Sequence, residues 1–376
     1  MKRISTFWKT VSRSFCCLLV GSIAASCSMM EEDLPECPQG LEIHFLYNYN
    51  LERADMFNDH VGAVTVYLFD ESGNYLMQQT CANSATSSPL RANSYSMHFD
   101  VEPGKYKYLV VGWQKAYEEC LRTAGAKFRI TEPAAGNTME ALTLTLDNTA
   151  RADGMYDINN AGLTLDTLWH GIQNDAVEVV TDKVTHDTVS LVRDTKQINI
   201  TLRDIELPSE TDINDYDMVI IDHNAQINWN NGVDETKQVV YTPYSTWNTE
   251  DKTDSDSTAT DGDAAANLKA TADGTGRIAH ADFMTSRIIY HNRIADDAVL
   301  SVTNKTTGVE IIRVNLADLL SRLRTSADIY GYSEQEFLDR GYDYRLTFYL
   351  QGDRWKYVNV EISTLSWARR IQNEEL

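Results

Sequence analysis

One cysteine in this sequence stands where its thiol has a defined chemical fate. Lys2, Arg3, Lys9 and Arg13 precede the stretch Phe15–Cys27, FCCLLVGSIAASC, and no acidic residue precedes it. A positive segment, a short apolar run and the small residues Ala24, Ala25 and Ser26 make a secretory signal with its cleavage region. The apolar run, about a dozen residues, is too short to cross roughly 30 Å of hydrocarbon as a helix. Cys27 follows the cut directly. A thiol there can take up a diacylglyceryl group as a thioether, after which the new amino terminus is acylated with palmitate-type chains. Two or more chains, at about 0.8 kcal/mol per buried methylene, hold a soluble domain on a bilayer. Ala24 stands where such signals usually carry Leu, and Ile23 supplies the branched side chain. The competing reading is an ordinary secretory signal with a chance cysteine. The order of charge, apolar run and small residues favours lipidation at Cys27.

A search for other chemistry is mostly negative. No GxSxG elbow, phosphate loop, GxGxxG or HExxH occurs. No two of the eight histidines sit at a metal-ligand spacing, and His44 and His98 fall on polar phases of strands, a solvated face. Asp254, Asp256, Asp261 and Asp263 approach a calcium loop, but Ala259 stands where glycine is required and no Glu closes it. They read as a solvated acidic stretch. Carboxylate pairs such as Glu118-Glu119 are commonplace in so acidic a chain and do not make a glycosidase. Trp113, Trp169, Trp355 and Trp367 could stack on sugars, though in strand-rich domains tryptophans more often fill the core. No catalytic residue, no metal ligand and no cofactor is assigned, and the chain does not read as an enzyme.

Cysteine usage points to an oxidising compartment. Cys16 and Cys17 leave with the signal and Cys27 carries lipid, so Cys37, Cys81 and Cys120 remain. One disulfide and one free thiol fit that count, and the pairing stays open. The spacings match no zinc pattern. Formal charge is −22 over 376 residues; without the four basic residues of the signal it is −26. That charge opposes nucleic acid and anionic membrane surfaces. The hydrophobic fraction, 43%, is ample for packed cores.

The elements that follow are short strands. Leu34–Gly40 is a stiff linker; then Leu41–Tyr47, Val64–Phe69, Tyr95–Val101, Tyr106–Gly112 and Ala141–Leu146 alternate or run apolar between Gly, Pro, Asn and Asp turns. The pattern breaks around Leu168–Gly171, and Val177–Val180 with Thr188–Val192 reads as a hairpin. Gln197–Leu202, Met218–Ile221, Ile288–Tyr290, Ala298–Val302 and Val309–Val314 continue the series. Asn248–Gly276 carries almost no large apolar residue and reads as a long loop. Two helices are expected behind Asn315 and Ser333, the second with a Ser333/Glu336 capping box and a Gly341 stop. Tyr344–Leu350 and Trp355–Ile362 form a closing hairpin, and the tail beyond Trp367 is either frayed or free to dock a partner. The fold class is all-β, built of sandwiches. The divisions are residues 1–26, signal; 27–40, lipidated tether; 41–186, N-terminal sandwich; and 187–376, C-terminal sandwich with short helices and the acidic insertion 248–276.

Taken in order, several stretches resemble the fimbrial anchor lipoproteins of Bacteroidales, the FimB-type family. They are Cys27, Asp33–Pro38 leading into Leu41–Tyr49, Val66–Asp70 with Gly73, Pro103–Tyr106, Leu168–Gly171, Leu191–Arg193 and Tyr344–Trp367. Ser28 followed by Glu31, Glu32 and Asp33 is similar to the surface-export signal of Bacteroidota lipoproteins. The resemblance implies two transthyretin-like β-sandwiches in series, with the insertion 248–276 a departure from the family pattern. It implies a surface-exposed lipoprotein of the outer membrane whose partners are fimbrial subunits. Its role would be to attach the polymer at its base and limit its length. In polymerising relatives a groove opened by proteolysis accepts a partner's strand; a chain held by Cys27 must keep Leu41–Tyr47 to keep its foot. The alternative is a surface glycan- or peptide-binding lipoprotein, for which exposed rather than buried tryptophans would be the mark.

Overall fold

The computed structural model describes residues 39–206, 211–251, 276–291, 297–324, 331–352, 354–362 and 370–375. The signal, Cys27, Cys37, Trp367 and residues 252–275 of the acidic stretch lie outside them.

The chain enters through β1 (Gly40–Leu46), a short helix α1 (Phe57–His60) and the hairpin β2 (Ala63–Asp70) and β3 (Tyr75–Ala82). Next come β4 (Ser96–Phe99), β5 (Gly104–Trp113) and helix α2 (Tyr117–Arg122). Four short strands follow, β6 (Phe128–Thr131), β7 (Thr143–Leu146), β8 (Thr149–Ala150) and β9 (Tyr156–Ile158), then β10 (Leu168–Val179), β11 (Val184–Ser190) and β12 (Val192–Arg193). The second half runs β13 (Lys196–Asp204), β14 (Tyr216–Asp222), β15 (Gln226–Asn228), β16 (Val233–Asp234), β17 (Val239–Tyr241), β18 (Ser245–Asp251) and β19 (Gly276–Thr285). It ends with β20 (Val299–Asn304), β21 (Glu310–Asn315), α3 (Leu316–Ser321), α4 (Glu334–Arg340), β22 (Asp343–Leu350), β23 (Trp355–Ile362) and β24 (Arg370–Glu375).

These strands form five sheets, ordered β11-β1-β4, β12-β10-β5-β2-β3, β16-β15-β7-β6, β18-β19-β13-β22-β23-β24 and β21-β20-β14-β17-β9-β8. The second is a middle layer. Val64, Val66, Leu68, Tyr108 and Val110 face one core, shared with Leu41, Ile43 and Phe45 of β1. Tyr67, Phe69, Leu109, Val111 and Trp113 face the other, which continues through β7, β13, β14 and β22 to Val360. Burial on both faces is why Val64–Phe69 reads as a near-continuous apolar run rather than an alternating one.

Several expectations change. Leu168–Gly171 is no break: it is the start of β10, four consecutive buried residues beside β5. A Cβ on Gly171 would stand 2.7 Å from Leu191 Cδ2 and 2.9 Å from Val189 Cγ2, so a larger residue there would have to push those core side chains aside. The expected hairpin of Val177–Val180 and Thr188–Val192 does not form. β11 leaves β10 and pairs in parallel with the whole of β1, because Val189 and Leu191 belong to the core beneath it. Ile288–Tyr290 is not a strand. β18 and β19 pair from Ser245↔Asp282 to Asp251↔Gly276, so the ends of 248–276 are strand. The tail is not free: residues 370–375 add to β23 as an antiparallel edge strand. β7 pairs with β15, β9 in parallel with β17 and β10 with β12, while β11, paired to β1, itself contains residues 186 and 187, so ladders run across that point in the chain. The caps stand as expected: Asn315 accepts from the Asp318 N–H and Ser333 from the Glu336 N–H.

Candidate functional site

The residues singled out by chemistry separate cleanly by burial. Cys27 lies outside the described residues. Cys120 is buried and Cys81 half-buried, both as free thiols. Burial first, then the Asp166 carboxylate, pushes the Cys120 thiol up to about 12, which makes it unreactive. Trp113 and Trp169 are fully buried in the cores, and Trp355 packs edge-on to Phe348 at 5.5 Å. Trp113 and Trp169 hold the fold together and offer no outer stacking face, while Trp355 is half-buried.

The outermost feature of the middle sheet is β3. Its sequence, YLMQQTCA, has no charge and no proline, in a chain that is 23% charged. Among the described residues β2 is its one strand partner, apart from a touch by the loop at Tyr75, whose N–H donates to the Asn137 carbonyl. Leu76 and Met77 are 45% and 41% exposed, and Leu76 is the extra residue of a bulge in the β2–β3 ladder, where Leu68 registers with Met77 and Phe69 with Tyr75. Edges are ordinarily blunted by Lys, Pro or a short length. β3 has no Lys and no Pro over eight residues, and the bulge at Leu76 is its one interruption.

At the opposite edge of that sheet, where β12 leads into β13, the two halves are tied by buried charge at the segment Arg193–Lys196. The Lys196 ammonium donates to the carbonyls of Arg193 (3.1 Å), Asp339 (3.1 Å) and Gly341 (2.9 Å). Arg287 meets Asp339 in a two-pronged pair, Nε–Oδ1 at 2.8 Å and Nη2–Oδ2. The Arg193 guanidinium lies 4.3 Å from the Tyr342 ring and Arg340 lies 4.0 Å from Tyr49. Burial lowers the pKa of Lys196 and raises that of Asp194, so each is held against its own desolvation by the other charges of the group. Such a network is costly to break, because removing one member strands the others in low dielectric.

Two solvent-facing arrangements have ligand character. On the outer face of the first sheet, Glu42 and His44 of β1 share a face, and His186 of β11 and His98 of β4 both register opposite Glu42. The His186 Nδ1 lies 3.2 Å from Glu42 Oε2, and the rings of His44 and His186 are 5.8 Å apart. The Ser96 hydroxyl donates to the other Glu42 oxygen. That bond, then the neighbouring histidines, holds the Glu42 carboxyl below its usual pKa. Sequence reading placed His44 and His98 on a solvated face, which the structure bears out. It missed their convergence with His186, since the segments are far apart in the chain. The other arrangement is a shallow groove of about 380 Å³ across β18, β19, β13 and β22, lined by Asn199, Thr201, Trp247, His280, Arg345 and Glu361. There Trp247 stacks on His280 at 5.0 Å.

Comparison with known proteins gives a consistent answer. The sequence model of a family described as fimbrillin-A associated anchor proteins Mfa1 and Mfa2 matches residues 34–373. No curated protein sequence matches the chain. Among solved structures, a candidate adhesin from Bacteroides thetaiotaomicron VPI-5482 is 24% identical with a TM-score of 0.69, over 90% of this chain and 100% of its own. A candidate polysaccharide-binding protein from the same strain is 26% identical with a TM-score of 0.64, over 89% of this chain and 99% of its own. The fimbrial anchor protein Mfa2 from Porphyromonas gingivalis is 15% identical with a TM-score of 0.58, over 89% of this chain and 100% of its own.

Proposed function

The chain belongs to the Mfa2 family of fimbrillin-A associated anchor proteins, and from that premise we propose that it is the lipid-anchored subunit at the base of a fimbria. The family is structural, not enzymatic, and is tied to the cell surface. The reading that carries the proposal further is the pairing of a family match beginning at residue 34 with a lipidation signal ending at Cys27. Lipid on Cys27 holds the foot in the outer membrane. Two transthyretin-like sandwiches in series make the rigid body, joined by a core that runs from the middle sheet into the second half and by the buried charges of Arg193–Lys196. The open edge of β3 takes a strand from the neighbouring subunit, whose main chain would bond along it while alternate side chains fill pockets beside it. A subunit that holds the base and cannot be extended on its membrane side ends the polymer there and so limits its length.

The test is Cys27→Ala. The variant should leave the membrane fraction and detergent phase, and fimbriae should accumulate in the medium. A variant that still partitions with membranes defeats the lipid foot. Glycan binding is the second reading, favoured by Trp247 and the groove around it. It predicts loss of sugar binding in that variant's cells but no shed fimbriae.

A further inference from the structure

We propose that Glu42, His44 and His186 form a binding site for an imidazole-seeking divalent ion of the zinc class, on the outer face of the sheet β11-β1-β4. The donor atoms of these three side chains all lie within 4.8 Å of one another. Ligand atoms on a tetrahedral zinc with bonds of about 2.0–2.1 Å stand about 3.3 Å apart. The Nδ1 of His186 and Oε2 of Glu42 are already at 3.2 Å. A rotation of the His44 ring toward them completes three ligands, and His98, opposite Glu42 on β4, is the neighbouring imidazole for the fourth position.

The donor set selects the ion. Two or three imidazoles with one carboxylate suit zinc, copper or nickel. Calcium and magnesium take six or more oxygens, and one carboxylate does not supply them. The carboxylate is ionised and oriented: Ser96 donates to one oxygen, which leaves the other toward His186. An outer hydrogen bond of this kind fixes a metal ligand before the metal arrives. The site needs no backbone change, because its ligands come from two paired strands in register, Glu42↔His186 and His44↔Thr188. Bound metal would then cross-link β11 to β1, the first strand after the tether. β1 is already held by its ladders to β11 and β4 and by Leu41, Ile43 and Phe45 in the core beneath it, and the ion adds a staple on its outer face, on the strand nearest the membrane attachment. The ligand geometry is independent of the proposed anchor role; only the location of the load depends on it.

Titration of the tag-free, detergent-extracted lipoprotein with zinc chloride at pH 7.5, read by calorimetry, tests the site. One equivalent should bind in the micromolar range and raise the melting temperature by several degrees. His186→Ala and His44→Ala should each weaken binding at least tenfold, and His223→Ala should leave it unchanged. His186 is well exposed, so its variant should keep its circular dichroism spectrum. Zinc K-edge absorption on the wild-type complex supplies a second readout, with nitrogen and oxygen neighbours expected. Binding that persists in both histidine variants, a sulfur-dominated edge spectrum, or no heat up to millimolar zinc would each overturn the proposal.

Discussion

Two buried titratable side chains should cancel each other's effect on stability, and a single substitution should unmask one. His170 in β10 is fully buried, and desolvation lowers its pKa from 6.5 to about 4. It therefore binds fewer protons folded than unfolded across that window, and its contribution is lost as pH falls from 6.5 toward 4. Asp222 in β14 is raised by burial from 3.8 to about 7. It binds more protons folded, so its contribution is present below 3.8 and lost as pH rises through 7. Each effect is about 1.4 kcal/mol per pH unit with opposite sign. Wild-type protein should show little slope from these two groups between pH 4.5 and 6.5. His170→Gln keeps a polar side chain but removes one titration, so stability from urea unfolding should fall by about 3 kcal/mol more than wild type over that range. Parallel profiles for the two proteins would show that the two groups do not oppose each other. At this scale legibility follows chain distance. The pattern that ends at Cys27 is contiguous, so the proposal of lipid there needs the sequence alone. Neither the burial of His170 nor the convergence of His44 with His186 is readable, because each depends on partners from distant strands.

Elements were legible where periodicity is local. The alternation in Leu41–Tyr47, the caps at Asn315 and Ser333 and the closing hairpin all stand as local physics requires. What failed was pairing. The parallel register of β11 with β1 and the addition of residues 370–375 to β23 depend on which core lies beneath, and no single stretch encodes that. The acidic stretch belongs to this scale as well. Its flanks, Asp251 and Gly276, are directly opposite one another, so a two-residue Asn-Gly turn could join them. Loop-closure entropy depends weakly on length, and a short turn lowers it. Replacing residues 252–275 by Asn-Gly should therefore leave the melting temperature within a few degrees of wild type. A fall of tens of degrees, or loss of cooperative melting, would mean that the stretch contributes to the core.

At the scale of the molecule, an anchor is a path for force between a lipid and a polymer. On the proposed reading the load enters at Cys27, passes along the tether and reaches β1, which lies between two partners and pairs over its full length with β11. Tension along a paired strand loads its ladder bonds together, which suits a strand that must stay in place. From there the middle sheet shares a core with β1 on one face and with the second half on the other. Its far edge is β3, uncharged and, among the described residues, paired to a strand on one side only. The tail is itself an edge strand, residues 370–375 paired to β23; β3, the uncharged edge of the middle sheet, is the first edge to challenge. Leu76→Lys with Met77→Lys places two charges on an edge whose side chains are already exposed, the device by which natural edges refuse a partner. Folding should hold, since neither side chain is buried. Cells carrying the double variant should show the lipoprotein at normal level in the membrane, with cell-bound fimbriae reduced severalfold and shed polymer in the medium raised to match. Normal cell-bound fimbriae in that strain would remove β3 from the path and move the search to the β24 or β21 edge of the second half.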